Sequence, residues 1–319
     1  MLNEKQRIAA YVLLFFLLCW GFDHFLTLQE ISASRYVLHT LTEVKILCRN
    51  KRRGRQASNA AFAKLKELEA KFNYFDPASE LSQINREAYG QDLPISAEMR
   101  DVLALALSGS ELSGGAFDIT TTPLTRLYGF GTDSRRAPQR QDIQEQLTSI
   151  GWKKVRLDTE RQTVRLLDRQ TQLDLGGIAK GYAVDQAVAI LRQYGIRQAL
   201  VNAGGNIYAL GQNRGKPWRI GIRHPRSPAE NMEIIELRDA ACATSGDYEQ
   251  YFIDDNQQRY AHIFNPQTGR PANLENNLAA VTVIADTAAR ADMLSTACFV
   301  LGEARSAHIP EKKIFYKAE

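Results

Sequence analysis

The 319 residues are 44% hydrophobic and 24% charged, which suits one large globular domain, or two intimately packed ones, and excludes a disordered chain. The formal net charge is +4, but Arg49, Lys51, Arg52, Arg53 and Arg55 supply five of the 40 basic residues, leaving 35 against 36 acidic ones elsewhere. A charge excess this local gives no general nucleic-acid signal.

Ile8 to Phe22 reads IAAYVLLFFLLCWGF, preceded by Lys5 and Arg7 and followed by Asp23, His24 and Glu30. Fifteen apolar residues are short for a span of about 20, and Phe25, Leu26 and Leu28 extend them. This pattern predicts an uncleaved signal anchor over residues 8–28, with a cytoplasmic tail over 1–7 and a single domain over 29–319 on the far side of the membrane. The alternative is a signal peptide cleaved near Ala33. Leu17 and Leu18 before Cys19 do not suit lipidation. Cys48, Cys242 and Cys298 lack metal-ligand spacing and imply no disulfide framework, allowing at most one bridge.

Ser34 to Cys48 has strand character, and the basic run after it reads as a solvated loop, with contact to anionic lipid as the other reading. Phe62, Leu65, Leu68 and Phe72 share one face of a helix over Ser58 to Phe72. Pro77 then marks a turn and Ser79 a helix cap, while Tyr74 and Phe75 suit either the core or a ligand's ring. A second amphipathic helix runs from Ser96 to Leu112 and stops at Gly114 and Gly115. The non-periodic segment SGGAFDITTTPLTRLYGFG, Ser113 to Gly131, has the composition of a functional loop, in which Asp118 could accept from a ring N–H or a ribose hydroxyl.

A helix over Gln141 to Ile150 precedes a hairpin formed by Trp152 to Leu157 and Thr163 to Leu167. Then comes LDLGGIAKGYAVDQA, Leu173 to Ala187. Gly176 and Gly177 allow close backbone approach, the helix that follows offers free N–H groups, and Lys180 adds a cation, together a candidate phosphate cradle. The alternative leaves Asp174 as the helix cap and Lys180 in solvent. Ala199 to Gly211 reads as strand, glycine bend and strand, with further strands at Trp218 to Arg223 and Ile234 to Leu237. ATSG, Ala243 to Gly246, leads into a strand at Tyr248 to Phe252, and AHIFNPQTG closes a hairpin in which His262 is either structural or a proton carrier. On the helix over Ala288 to Gly302, Asp292 and Thr296 lie one turn apart on one face, a carboxylate and a hydroxyl of the hard-oxygen kind that Mg²⁺ prefers.

The blocks YFDPASELSQIN, GGAFDITTTPL, LDLGGIAKGYAVD, VNAGGNIYALG, ATSGDYEQYF, HIFNPQTG and ADMLSTACFVLG, in that order, resemble the ApbE family of FAD:protein FMN transferases over roughly Arg35 to Gly302. The resemblance implies an α+β fold, a mixed and largely antiparallel sheet with packed helices, with FAD as substrate in a cleft and Mg²⁺ as cofactor. It implies FAD contacts at Leu38, Phe75, Ala116, Phe117, Asp118, Asp174 and Lys180, and a metal site from Asp292, Ser295, Thr296 and the carbonyl of Gly177. His262 and Asp292 then carry the catalysis. The implied partner is an acceptor flavoprotein subunit of a membrane electron-transfer complex, met on the periplasmic side of the inner membrane.

Two departures stand out. Leu38-His39-Thr40 replaces the usual Met-Gly-Thr, and the chain ends in HIPEKKIFYKAE soon after Gly302. Hydrolysis of FAD to FMN and AMP, and non-catalytic flavin binding by a membrane protein, are the competing readings. No GxGxxG fingerprint follows a strand, which argues against a dinucleotide oxidoreductase.

Overall fold

The computed structural model describes residues 27–227 and 229–318, so the expected anchor lies outside the described residues except for its last two. Among the described residues no helix is long and apolar enough to cross a membrane. The strands in chain order are β1 Gln29–Val37, β2 Thr40–Cys48, β3 Leu93–Pro94, β4 Val155–Asp158, β5 Thr163–Leu166, β6 Ala199–Ala203 and β7 Asn206–Leu210, then β8 Trp218–Arg223, β9 Asn231–Leu237, β10 Ala240–Gly246, β11 Tyr251–Ile253, β12 Arg259–Ala261, β13 Leu278–Ala285 and β14 Lys312–Lys317. The helices are α1 Lys51–Phe72, α2 Glu80–Glu87, α3 Ala97–Leu112, α4 Thr122–Leu127, α5 Arg140–Leu147, α6 Ala179–Gln193, α7 Asn273–Asn276 and α8 Ala288–Arg305.

Seven strands form the central sheet in the order β1-β2-β6-β7-β10-β13-β14, and every neighbouring pair is antiparallel. Strand alternation sends residues to two cores. On one face Val44, Ile46, Val201, Tyr208, Val281 and Val283 meet Leu65 and Leu68 of α1, Val184 and Leu191 of α6, and Leu294 and Phe299 of α8. On the other, Leu47, Ile207, Ala209 and Ala280 meet Trp218, Ile220, Ile222, Ile235 and Leu237 of the β8–β9 hairpin. The result is a helix–sheet–hairpin sandwich. A third cluster, Leu124, Tyr128, Phe130, Ile143, Ile150 and Phe264, holds the loops outside it.

Several expectations change. Ser34 to Cys48 is not one strand: β1 and β2 form a hairpin that turns at Leu38 and His39, with φ of 59° and 56°. A two-residue turn with both φ positive matches strand twist, although glycine or asparagine is the usual occupant. Cleavage near Ala33 would remove more than half of β1. The basic run is no loop beyond Arg49 and Asn50, because α1 starts at Lys51, with Asn50 as its cap accepting from Arg53 N at 2.9 Å. The helix placed over Gln141 to Ile150 ends at Leu147, and Trp152 lies in a 3₁₀ turn before β4. Tyr248 precedes β11 instead of opening it.

Ser79 and Ser96 cap α2 and α3 as expected, accepting from Ser82 N at 3.0 Å and Met99 N at 3.3 Å. Cys48, Cys242 and Cys298 are free thiols.

Candidate active site

Two helix starts build the site. Thr287 caps α8 by accepting from Arg290 N at 3.2 Å, and Asp185 of α6 accepts from Ala288 N at 2.8 Å and Ala289 N at 2.9 Å. Burial pushes the Asp185 carboxyl up to about 6 against the pull of those two N–H groups. The helices touch at Gly181, where a Cβ would sit 2.3 Å from the Ala288 carbonyl oxygen. Gly181→Ala is therefore expected to cost about 1–3 kcal/mol by overpacking. Thermal unfolding checks this, and an unchanged Tm would show that the helices part freely.

Gly181 N–H also donates to Asp292 Oδ2 at 3.0 Å. Asp292 is only 6% exposed, and this is its one side-chain hydrogen bond among the described residues. Burial raises its pKa, opposed first by the charge of Lys180 and then by that N–H. One turn on, Thr296 Oγ1 lies 3.1 Å from Ser245 Oγ of β10. It also stands 3.5 Å from where a Cβ on Gly177 would lie, a point 3.1 Å from Phe117 Cε2. Gly177, Phe117 and Thr296 thus converge, with Asp292 one helical turn before Thr296. Ser295 is fully buried and braces the helix, donating to the Asp292 carbonyl at 2.8 Å and meeting Ser245 Oγ at 2.8 Å.

Lys180 ties the remaining groups together. Its Nζ donates to the Gly176 carbonyl at 3.1 Å, and its charge acts on Asp174, Asp292 and His262. Asp174 does not cap α6, whose first flanking residue Ile178 makes no side-chain cap. Instead Asp174 Oδ1 accepts from Gly176 N at 2.8 Å and shapes the glycine turn. Burial raises the Asp174 pKa, while Gly176 N–H and Lys180 pull it down. His262 is held down to about 4, by burial first, with the Lys180 charge adding to it against the Gln250 carbonyl. Its Nδ1 faces that carbonyl at 3.2 Å. A carbonyl only accepts, so Nδ1 carries the proton and Nε2 keeps a lone pair.

The residues expected to contact FAD divide. Phe75 is 69% exposed, which removes the core reading, and it stands edge-on to His39 at 6.5 Å and to Tyr74 at 5.3 Å. Leu38 is buried in the helical core. Asp118 turns inward: it accepts from Thr120 N at 2.8 Å, Thr120 Oγ1 at 2.6 Å and Trp152 N at 2.8 Å, so it fixes the loop. Phe117 N–H is taken by Ser113 Oγ at 3.0 Å and Ala116 N–H by the Ser113 carbonyl at 3.3 Å, so both N–H groups are spent within the loop.

Sequence reasoning missed three participants. Arg126 lies 5.5 Å over the Tyr74 ring, and Tyr74 in turn feels the Asp174 charge, so Arg126 adds a cation at the Phe75 end. Ser245 and Gly181 were visible as a serine beside a glycine and as a helix glycine, but nothing local marks what they touch.

Among the described residues no three His, Cys, Asp or Glu side chains converge to hold a metal alone. The oxygens that the structure brings there are the poorly solvated Asp292 carboxylate and the Thr296 hydroxyl, with the Gly177 backbone beside the latter. That set fits Mg²⁺, which binds through one or two carboxylates and otherwise keeps waters or phosphate oxygens.

Lys180 thus stands with two carboxylates and a neutral imidazole, Asp292 being carried on a helix packed against the antiparallel sheet. The ApbE family model matches residues 38–315, and the chain belongs to that family. Curated relatives include the FAD:protein FMN transferase of Haemophilus influenzae, 38% identical over 78% of this chain and 73% of that protein, and that of Treponema pallidum, 32% identical over 87% and 80%. Among solved structures, the ApbE protein of Thermotoga maritima superposes with a TM-score of 0.81 at 32% identity, covering 91% of this chain and 97% of the other. The apo flavinyl transferase ApbE of Pseudomonas stutzeri gives 0.81 at 30% identity, with 92% of each chain covered.

Proposed function

We propose that this chain is an FAD:protein FMN transferase that works with Mg²⁺ and moves FMN to a threonine hydroxyl of an acceptor flavoprotein, releasing AMP. Membership of the family and the transferase names of its relatives support the enzyme class. The observation that carries the chemistry is the grouping of Asp174, Asp292 and His262 around Lys180.

In this reading the glycine turn and the start of α6 receive the diphosphate, and Phe75 stacks on the flavin. Asp292, Thr296 and the Gly177 carbonyl would hold Mg²⁺, which would supply neutralising charge to the diphosphate oxygens. His262 Nε2 accepts the hydroxyl proton as the threonine oxygen bonds to the FMN-side phosphorus. The bond from that phosphorus to the bridging oxygen breaks, and AMP leaves with it. Burial, with the Lys180 charge adding to it, keeps the imidazole neutral beforehand, and Lys180 offsets the charge that gathers on the phosphates. The acceptor is a flavoprotein subunit of a membrane electron-transfer complex. The apolar run over residues 8–28 anchors the chain in the inner membrane, with the domain on the periplasmic side.

Incubating the full chain with FAD, Mg²⁺ and an acceptor domain tests this by intact mass and nucleotide chromatography. An FMN-sized gain on the acceptor with an equal amount of AMP is the expected result. Free FMN with AMP and an unmodified acceptor would make the protein a hydrolase instead, and FAD bound but intact would make it a flavin carrier.

A further inference from the structure

We propose that the end of the central sheet where the chain enters is a docking face for an anionic phospholipid surface. Strand register collects four connections at that end: Gln29 of β1 pairs with Cys48 of β2, Ile46 of β2 with Ala199 of β6, Ala199 with Leu210 of β7, and Ala209 of β7 with Ala240 of β10. The β2–α1 connection brings Arg49, and the α6–β6 connection brings Arg197. Arg214 and Lys216 lie between β7 and β8, and Arg238 between β9 and β10, all of them exposed. Asp239 is the acidic residue of these connections, and it is bound to Gly211 N–H at 2.8 Å.

The start of α1 adds Lys51, Arg52, Arg53 and Arg55, with no acid in its first turn. Cations at a helix N-terminus oppose the macrodipole, so this arrangement gains from an external anion. Beside it Arg192, Arg197 and Arg238 line a cleft of about 390 Å³ together with Gln198, whose Oε1 is buried without a hydrogen-bond partner. The first described residues are held at this end, because Arg214 donates to the Leu28 carbonyl at 3.0 Å.

The occupant follows from where the chain comes from. Five residues separate Phe22, where the uninterrupted apolar part of the 8–28 anchor ends, from Leu28, so their reach is the upper limit of the distance. Fully extended, they reach about 18 Å. If that run is the anchor proposed above, on which this inference rests, the arginine end sits within that distance of the bilayer. A collar of exposed cations there attracts anionic headgroups within a Debye length of about 8 Å.

The test places the full chain in nanodiscs of phosphatidylcholine, alone or with one third phosphatidylglycerol, and follows amide exchange over residues 50–54 and 211–217. Docking predicts severalfold slower exchange in the anionic discs only, reversed by half-molar salt and absent in an Arg52→Glu, Arg214→Glu, Lys216→Glu variant that still binds the discs. Equal exchange in both discs, or slowing that survives the charge reversals, overturns the docking face. Failure to co-purify with either disc overturns the anchor itself, and docking with it.

Discussion

Asp292→Asn is expected to lower the rate of FMN transfer at saturating FAD by about 10²- to 10³-fold. The substitution keeps an oxygen to accept the Gly181 N–H, whose bond to Oδ2 is 3.0 Å long, so the contact between α6 and α8 survives. It removes the charge of a carboxylate that burial already disfavours, and with it the oxygen ligand that best suits a hard dication. Asp292→Ala is a poorer probe, because leaving that N–H unmatched costs about 1–3 kcal/mol of stability as well. Steady-state transfer across a Mg²⁺ titration, with Tm measured in parallel, separates the two effects. Full activity in Asp292→Asn with an unchanged Mg²⁺ response would remove Asp292 from the metal site.

His262→Ala is expected to cut transfer by about 10²- to 10⁴-fold, the range for losing a positioned proton carrier. The pH profile is the sharper test. Burial holds the folded pKa down to about 4, so the imidazole is already neutral at pH 6. The limb of kcat/KM that reports His262 is therefore expected as pH falls through about 4, well below the ordinary histidine value of 6.5. Stability follows the same sign. Between pH 6.5 and about 4 the unfolded chain takes a proton that the folded chain refuses, so this group's contribution is complete above 6.5 and is lost as pH falls towards 4. Tm measured against pH should fall less steeply across that window in His262→Ala than in the parent. An activity limb near 6.5 that disappears in the variant would mean that the imidazole is not buried in the working enzyme.

Much of this was legible before any coordinates. Ser79 and Ser96 carry capping chemistry written in a few residues, and the paired hydroxyl and carboxylate of Asp292 and Thr296 follow from helix spacing alone. What periodicity hides is β13. Its residues LAAVTVIA are buried on both faces, so no alternation marks a strand. β14 is similarly muted, a short edge strand in a charged tail. The turn at Leu38 and His39 escaped because neither residue favours a positive φ. The inward role of Asp118 escaped because its partner Trp152 stands 34 residues away, a distance that local pattern does not cross. Phe75 could be assigned only once its exposure was known.

The arrangement of strands has a consequence for when the protein becomes competent. The hairpin that begins the described chain forms one edge of the sheet, and the last strand forms the other. The helix bearing Asp292 and Thr296 rests on β13, next to that final strand. A nascent chain that has emerged only as far as residue 270 holds Lys180, His262 and Phe75, yet has no carboxylate at position 292 and no strand to seat one. On the proposed function, catalytic capacity therefore arrives late in synthesis, after nearly the whole described domain has been delivered, and a chain stalled at residue 270 is expected to transfer no FMN.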